Sequence, residues 1–300
     1  MSGSSSQLLR ICWLFPGSFH LYGERGNILA LVNEAQQLGW QTAVTRVEFS
    51  DVGTFSPVDY DIIVSPPGEL DALVPAAEIL APFTDRIRRW IDEGGVLFSS
   101  GSNVALWGHG IDRLDGSWQP GLGLIDVSCQ EREFVTGDDL WILYPSADGG
   151  THEAIGHQIQ RLNIYPGPQA ELWGKDILYG YGLNGQGYSG PRIGPAGAIG
   201  NTSSPGHYHR SDADGAKENT DKKRQQVPRQ GAGIKLGNSL FTVMLGPALF
   251  VNKQLLTDLL EPIAVLKGWV WEPQRLDWEE PALMLEAKRG YLRRKMGGNQ

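Results

Sequence analysis

The stretch GGVLFSSGSNVALWG, residues 94–108, decides the fold. GVLFSS is an apolar run of strand length, SGSN is a turn of small residues, and NVALWG continues with helix-forming residues. Many α/β enzymes place a nucleophile at such a strand–turn–helix corner. This corner offers serines and a glycine.

Upstream, LLRICWLF is a continuous apolar run that reads as a first strand, followed by the loop FPGSFHLYGERGN. ILALVNEAQQLG then carries Ile28, Leu31, Val32, Ala35 and Leu38 at helical spacing, with Asn27 as the expected N-cap and Gly39 as the stop. WQTAVTRV and YDIIVS read as the second and third strands. Phe83, Ile87, Trp90 and Ile91 share a helix face that Gly94 ends. Apolar strands alternating with helices imply an α/β fold with a mostly parallel sheet covered on both faces. Ligands in such sheets sit at the carboxyl ends of the strands, so chemistry is expected among the loops 15–27, 65–72 and 100–103.

The second half is less regular. PGLGLIDVSC, DDLWILYP, KDILYGYG and NSLFTVML read as strands. NKQLLTDLLEPIAVL starts as a helix with Asn252 as cap, and EEPALMLEAKRGYLRRKM reads as a helix with a basic end. Residues 1–8 are expected to be a disordered start, 9–270 the main domain, 201–231 a mobile polar insertion within it, and 271–300 a helical tail.

The chain has 300 residues, 41% of them hydrophobic, and a formal net charge of −8, which argues against a nucleic-acid binder. Two cysteines, Cys12 and Cys129, make neither a disulfide framework nor a four-ligand zinc site. No metal or cofactor is expected. The longest late apolar run, LFTVMLGPALFV, is broken by Gly246 and Pro247 and falls short of the roughly 20 residues of a transmembrane segment. A cytoplasmic protein is the expectation.

Several segments together resemble the CobB/CobQ-type class I glutamine amidotransferases, and more narrowly the GatD-like glutaminase subunit of lipid II isoglutaminyl synthase. They are HLYGERGNILAL (20–31), DGSWQPGLGLIDV (115–127), LYGYGLNGQGYSG (178–190), TVMLGPALFVNKQLLTDLL (242–260) and RLDWEEPALMLEAKRGYL near the C-terminus. The resemblance covers most of the chain apart from 192–231. It implies a three-layer α/β domain in which a cysteine after the fourth strand attacks the side-chain amide of glutamine. A later histidine activates the thiol, and a glycine-rich loop after the third strand supplies oxyanion N–H groups. The ammonia would pass to a MurT-like Mur-ligase-family subunit that amidates lipid II.

The chemical positions depart from that pattern. Ser100 stands where the cysteine is expected, with Gly101 there if the alignment slips by one. A hydroxyl needs a positioned base to attack. Leu245, in VMLGP, replaces the histidine. The oxyanion loop is SPPGEL, in which Pro66 and Pro67 have no N–H to donate, leaving Gly68. Tyr22, Glu24, Arg25, Asn27 and Asn103 are candidate site-lining residues. Cys12 and Cys129 read as buried. His109 is too far along the helix to reach back, while His207 and His209 lie in the insertion and could fold over the site. Trp269, Trp271 and Trp278 read as packing, with a partner interface as the sharper alternative.

The resulting expectation is a GatD-like subunit whose glutaminase site is non-functional and whose role is structural or regulatory within a hetero-oligomer. Two alternatives stand beside it: an active hydrolase with a rewired serine nucleophile, and a binding module for glutamine or another small metabolite.

Overall fold

The computed structural model describes residues 7–184, 192–193, 199–200 and 230–296. β1 (Leu8–Leu14) is the apolar run expected from the sequence, and it already includes Leu8. It pairs in parallel with β2 (Gln41–Val47) on one side and β3 (Ile62–Ser65) on the other. α1 (Arg25–Gln37) connects β1 to β2. α2 (Leu73–Leu80) and α3 (Thr84–Asp92) connect β3 to its parallel neighbour β4 (Val96–Ser100). β2 lies to one side of β1 while β3 and β4 follow on the other. Right-handed crossovers therefore place α1 on one face of the sheet and α2–α3 on the opposite face. β3 and β4 are buried along their whole length, as strands covered on both faces must be. The α/β class with a mostly parallel central sheet is the one the sequence led us to expect.

α4 (Val104–Trp107) is only one turn long, and Gly108 after it is extended. Beyond it the chain builds a second sheet. β5 (Gly110–Asp112) and β6 (Trp118–Pro120) form a short pair, and β5 runs parallel to β7 (Val127–Pro145). β7 forms a long antiparallel hairpin with β8 (Thr151–Pro166), and β10 (Asp176–Tyr179) pairs with the other edge of β7. β9 (Glu171–Trp173) returns to the main sheet, and β11 (Arg192–Ile193) pairs with β12 (Ile199–Gly200). β13 (Gly233–Leu236) and β14 (Ser239–Thr242) complete the main sheet in the order β2-β1-β3-β4-β14-β13-β9. β14 runs parallel to β4, whereas β13 and β9 add an antiparallel edge.

α5 (Ala248–Val251) and α6 (Lys253–Lys267) follow, and α6 ends at Gly268 in the left-handed region. Asn252 occupies the N-cap position of α6, but its side chain makes no capping bond. It pairs with the backbone of Ile155 instead, accepting from N at 2.8 Å and donating to O at 2.9 Å. α7 (Glu279–Lys295) buries Leu292 against Trp141 and Ile155 of the hairpin. The tryptophans after α6 pack inward, with Trp269 and Trp271 lying 4.9 and 6.0 Å from the ring of Trp40. Residues 201–229, which hold most of the polar insertion with His207 and His209, lie outside the described residues.

Candidate functional site

The order in which strands are added reverses at β1, with β2 on one side and β3 and β4 on the other, so the loops leaving β1, β3 and β4 lie at a topological switch point, where α/β sheets bind ligands. Ser100 ends β4 and is 1% exposed. Its hydroxyl donates to Oε2 of Glu24 at 3.2 Å. Glu24, also 1% exposed, accepts a second bond from Nδ2 of Asn27 at 2.8 Å and a third from the backbone N–H of Gly246 at 2.7 Å. Burial pushes the Glu24 carboxyl up to about 7, and the three hydrogen bonds oppose that rise.

Asn27 is not the cap of α1. The helix starts at Arg25 with Glu24 in the N-cap position, and no side chain caps it. The Asn27 carboxamide is drawn across the sheet ends instead. It donates to the Gly246 carbonyl at 3.0 Å and accepts from the Leu249 N–H at 2.9 Å. The first helix is thereby tied to the loop that follows β14.

Gly101 is the residue at the corner itself, with φ of 63°. A Cβ built on it would lie 2.5 Å from Cδ2 of Leu245 and 2.8 Å from Cβ of Pro67. Leu245 is 2% exposed, and its N–H donates to the carbonyl of His157 at 2.7 Å. The space a side chain on Gly101 would enter is thus filled by leucine and proline carbons.

The loop after β3 turns acceptors toward the corner. The Pro66 carbonyl accepts from Nδ2 of Asn103 at 2.6 Å, and the Gly68 carbonyl accepts from the Ser102 hydroxyl at 2.6 Å. Asn103 also donates to Ser65 Oγ at 2.9 Å. Stabilising an oxyanion needs N–H donors aimed at one point. Here Pro66 and Pro67 have none. Gly68 is required for another reason, since a Cβ there would meet the Phe19 ring at 2.3 Å.

The structure therefore brings Ser100, Glu24, Asn27, Asn103, Leu245, Pro66, Pro67 and Gly68 together. Arg25 is exposed on α1 and stands apart from them. Tyr22 is 37% exposed and lines a cavity of about 320 Å³, and partial burial raises its phenol pKa. Gly68, Gly101 and Ser102 line the same cavity, whereas neither Ser100 nor Leu245 does. His109 lies beyond the end of α4, and its ring pairs with Asp126 at 3.0 Å. Cys12 and Cys129 are both buried, and burial pushes the Cys129 thiol up to about 12 and that of Cys12 higher still. A thiol held in that form is a poor nucleophile.

The far wall of the cavity comes from the β7–β8 hairpin, which the sequence reading did not connect to the corner. Arg113 donates to Glu131 and to Asp71, each at 2.8 Å, and Arg161 pairs with Glu131 at 3.1 Å. The one sequence signal was the charged QERE run inside an otherwise strand-like stretch. Among the described residues no group of three or more His, Cys, Asp or Glu is placed to hold a metal ion, and no helix is long and apolar enough to cross a membrane.

Three solved structures to which this chain is similar are glutamine amidotransferases or a glutaminase domain. One, described as a glutamine amidotransferase, matches with a TM-score of 0.41 at 12% identity, over 84% of this chain and 98% of that one. A glutamine amidotransferase from Thermotoga maritima matches with a TM-score of 0.39 at 8% identity, over 95% of both chains. The glutaminase domain of Trypanosoma brucei CTPS with bound acivicin matches with a TM-score of 0.29 at 10% identity, over 52% of this chain and 68% of that one. No family model matches the chain, and no curated protein matches its sequence. Identity this low transfers no residue role.

Proposed function

We propose that this chain is a glutamine-amidotransferase-like subunit that does not hydrolyse glutamine. The observation that carries the reading is the packing of Leu245 and Pro67 over Gly101. A nucleophile needs a free path to the substrate carbonyl, a base within hydrogen-bond reach and N–H donors for the oxyanion. At this corner the residue in the turn has no side chain. Its neighbour at 245 cannot take a proton, and the adjacent loop offers prolines and engaged carbonyls. The finer proposal, resting on the ordered sequence segments, is a GatD-like subunit that joins a MurT-like Mur-ligase-family partner in lipid II amidation in the cytoplasm. The role is then scaffolding or regulation of the partner.

Co-expression with a MurT-like ligase tests this. A stable complex that amidates its substrate with ammonium but not with glutamine is the expected result. Glutamine-dependent amidation counts against the loss of glutaminase chemistry, and absence of any complex counts against the partner.

One observation favours a second reading. The Ser100 hydroxyl lies 3.2 Å from Glu24, whose carboxyl titrates near 7, so a base stands beside a serine. Against it, Ser100 is 1% exposed and does not line the cavity. Labelling of folded protein at Ser100 by a serine-reactive phosphonate would establish this reading, and no labelling removes it.

A further inference from the structure

β2 is the outer edge of the main sheet, and that edge is long and open. Its seven residues, QTAVTRV, pair with β1 in an unbroken parallel register, from Gln41 opposite Leu8 to Val47 opposite Leu14. Among the described residues no strand pairs with its other side. Gln41, Ala43, Val44, Thr45 and Arg46 are all exposed, Val44 by 40%. The opposite edge of the sheet, β9, has only three residues.

Natural sheets guard an open edge with proline, lysine, a bulge or a very short strand, because such an edge pairs readily with another chain. β2 has none of these. Thr42, Val44, Thr45 and Val47 are β-branched and favour a paired strand. The one charge on the strand, Arg46, is folded back onto its own chain. It pairs with Glu48 at 3.1 Å and lies 5.5 Å from the centre of the Trp13 ring.

The hydrogen bonds to β1 show which backbone groups of β2 point outward. The Gln41 N–H donates to the Gln7 carbonyl, and the Val47 carbonyl accepts from the Phe15 N–H, each at 2.7 Å. Residues of a paired strand turn their backbone groups alternately to one side and the other. Gln41, Ala43, Thr45 and Val47 therefore bond to β1, and Thr42, Val44 and Arg46 turn N–H and C=O away from it. In an antiparallel pair, residues two apart each exchange both bonds with the residue opposite. A two-fold axis at Val44 then sets Val44 against Val44 of a second copy and Thr42 against Arg46, and it uses every outward group of both strands. It places no like charges opposite each other. The chain as a whole carries −8, which keeps copies apart, whereas this strand holds no acidic residue.

We propose that the β2 edge is the interface of a homodimer in which two copies join their main sheets antiparallel about Val44. A second copy supplies the matching register by symmetry, as an isologous interface requires. One shared strand edge is at the small end of specific interfaces, so the dimer is reversible. The proposal rests on β2 alone and not on the chemistry of the Gly101 corner, so its test and the glutamine-hydrolysis test fail separately.

The experiment is analytical ultracentrifugation of the full chain from micromolar to millimolar concentration. The parent is expected to pass from monomer to dimer across the series. Val44→Lys and Val44→Glu each set like charges face to face at the axis and remove the valine contact, and each is expected to weaken the dimer about tenfold. An equal mixture of the two variants is expected to restore it, because opposite charges then meet. Thr42→Glu places a carboxylate opposite Arg46 on both sides of the axis and is expected to tighten the dimer about two- to thirtyfold. A parent that stays monomeric, open-ended aggregates in place of a dimer, a dimer unmoved by both Val44 variants, or a mixture that fails to restore it overturns the proposal. Should the Val44 variants fail to fold, Thr42→Glu decides: a tighter dimer supports the interface, and an unchanged or weaker one overturns it.

Discussion

The Cδ2 atom of Leu245 occupies the position a side chain on Gly101 would need, 2.5 Å from a Cβ built there. These residues lie on different strand ends, after β4 and after β14, which are hydrogen-bonded neighbours in parallel register. The contact turns two separate sequence departures into one packed arrangement. Restoring a side chain at 101 therefore requires moving what fills the space.

Gly101→Cys is expected to destabilise the fold by about 1–3 kcal/mol through overpacking, with an added cost from the positive φ. Leu245→Ala alone is expected to cost about 2–5 kcal/mol as a buried leucine truncation. Combined, the two should cost less than their sum, because the cavity left by one receives the side chain of the other. Denaturant unfolding of the four-member cycle measures this, and strict additivity would show that the residues do not share the space.

Glu24 gives a pH dependence of defined sign. Its folded pKa, about 7, lies above the ordinary 4.5, so between those values the native state holds more protons than the unfolded chain. Stability from this group is full below 4.5 and falls as pH rises through 7, by an order of magnitude of about 3 kcal/mol. Unfolding free energies between pH 4.5 and 7.5 should slope downward in the parent and less so in Glu24→Gln. Equal slopes contradict the buried, proton-binding carboxyl.

Asn27 was readable as important from its place at the start of a helix, but its role was not. Helix-start statistics favour a cap, and nothing local reveals that Gly246 and Leu249, more than two hundred residues later, offer a carbonyl and an N–H at the same point. Asn27→Ala leaves the Leu249 N–H without its acceptor and takes one donor from Glu24 and one from the Gly246 carbonyl, which keeps the Ala248 N–H, and is expected to cost about 2–5 kcal/mol. A loss below 1 kcal/mol, typical of a weak cap, would show that these bonds are unimportant.

His157 links the C-terminal helix to the corner. Its carbonyl holds the N–H of Leu245, and its ring lies 2.9 Å from Asp139 and 2.7 Å from Nζ of Lys288 on α7. Burial, then the charge of Lys288, lower the imidazole pKa, and Asp139 opposes them. The unfolded chain therefore takes up this proton first, and the associated stability is lost as pH falls. Lys288→Met should raise the His157 pKa in an NMR titration, and an unchanged value would remove the coupling.

The parallel half of the fold was legible because β1, β3 and β4 each carry an apolar run and the helices their own period, with β2 a more polar edge strand. α4 lies inside the expected segment after β4, and it stops after one turn because Gly108 becomes extended and leads the chain into the second sheet. The corner, the leucine and the two prolines were visible as residue types. Their mutual contact was not, because packing between β4 and β14 spans more than a hundred residues of sequence. The cavity wall was illegible for a related reason: Glu131 and Arg161 meet only through the register of a long hairpin with a bulge in its middle.

The most direct test of the closed corner is ammonia release from glutamine by the purified chain. No release above the uncatalysed background, unchanged in Ser100→Ala, is the predicted result. Sustained turnover that Ser100→Ala abolishes would contradict it.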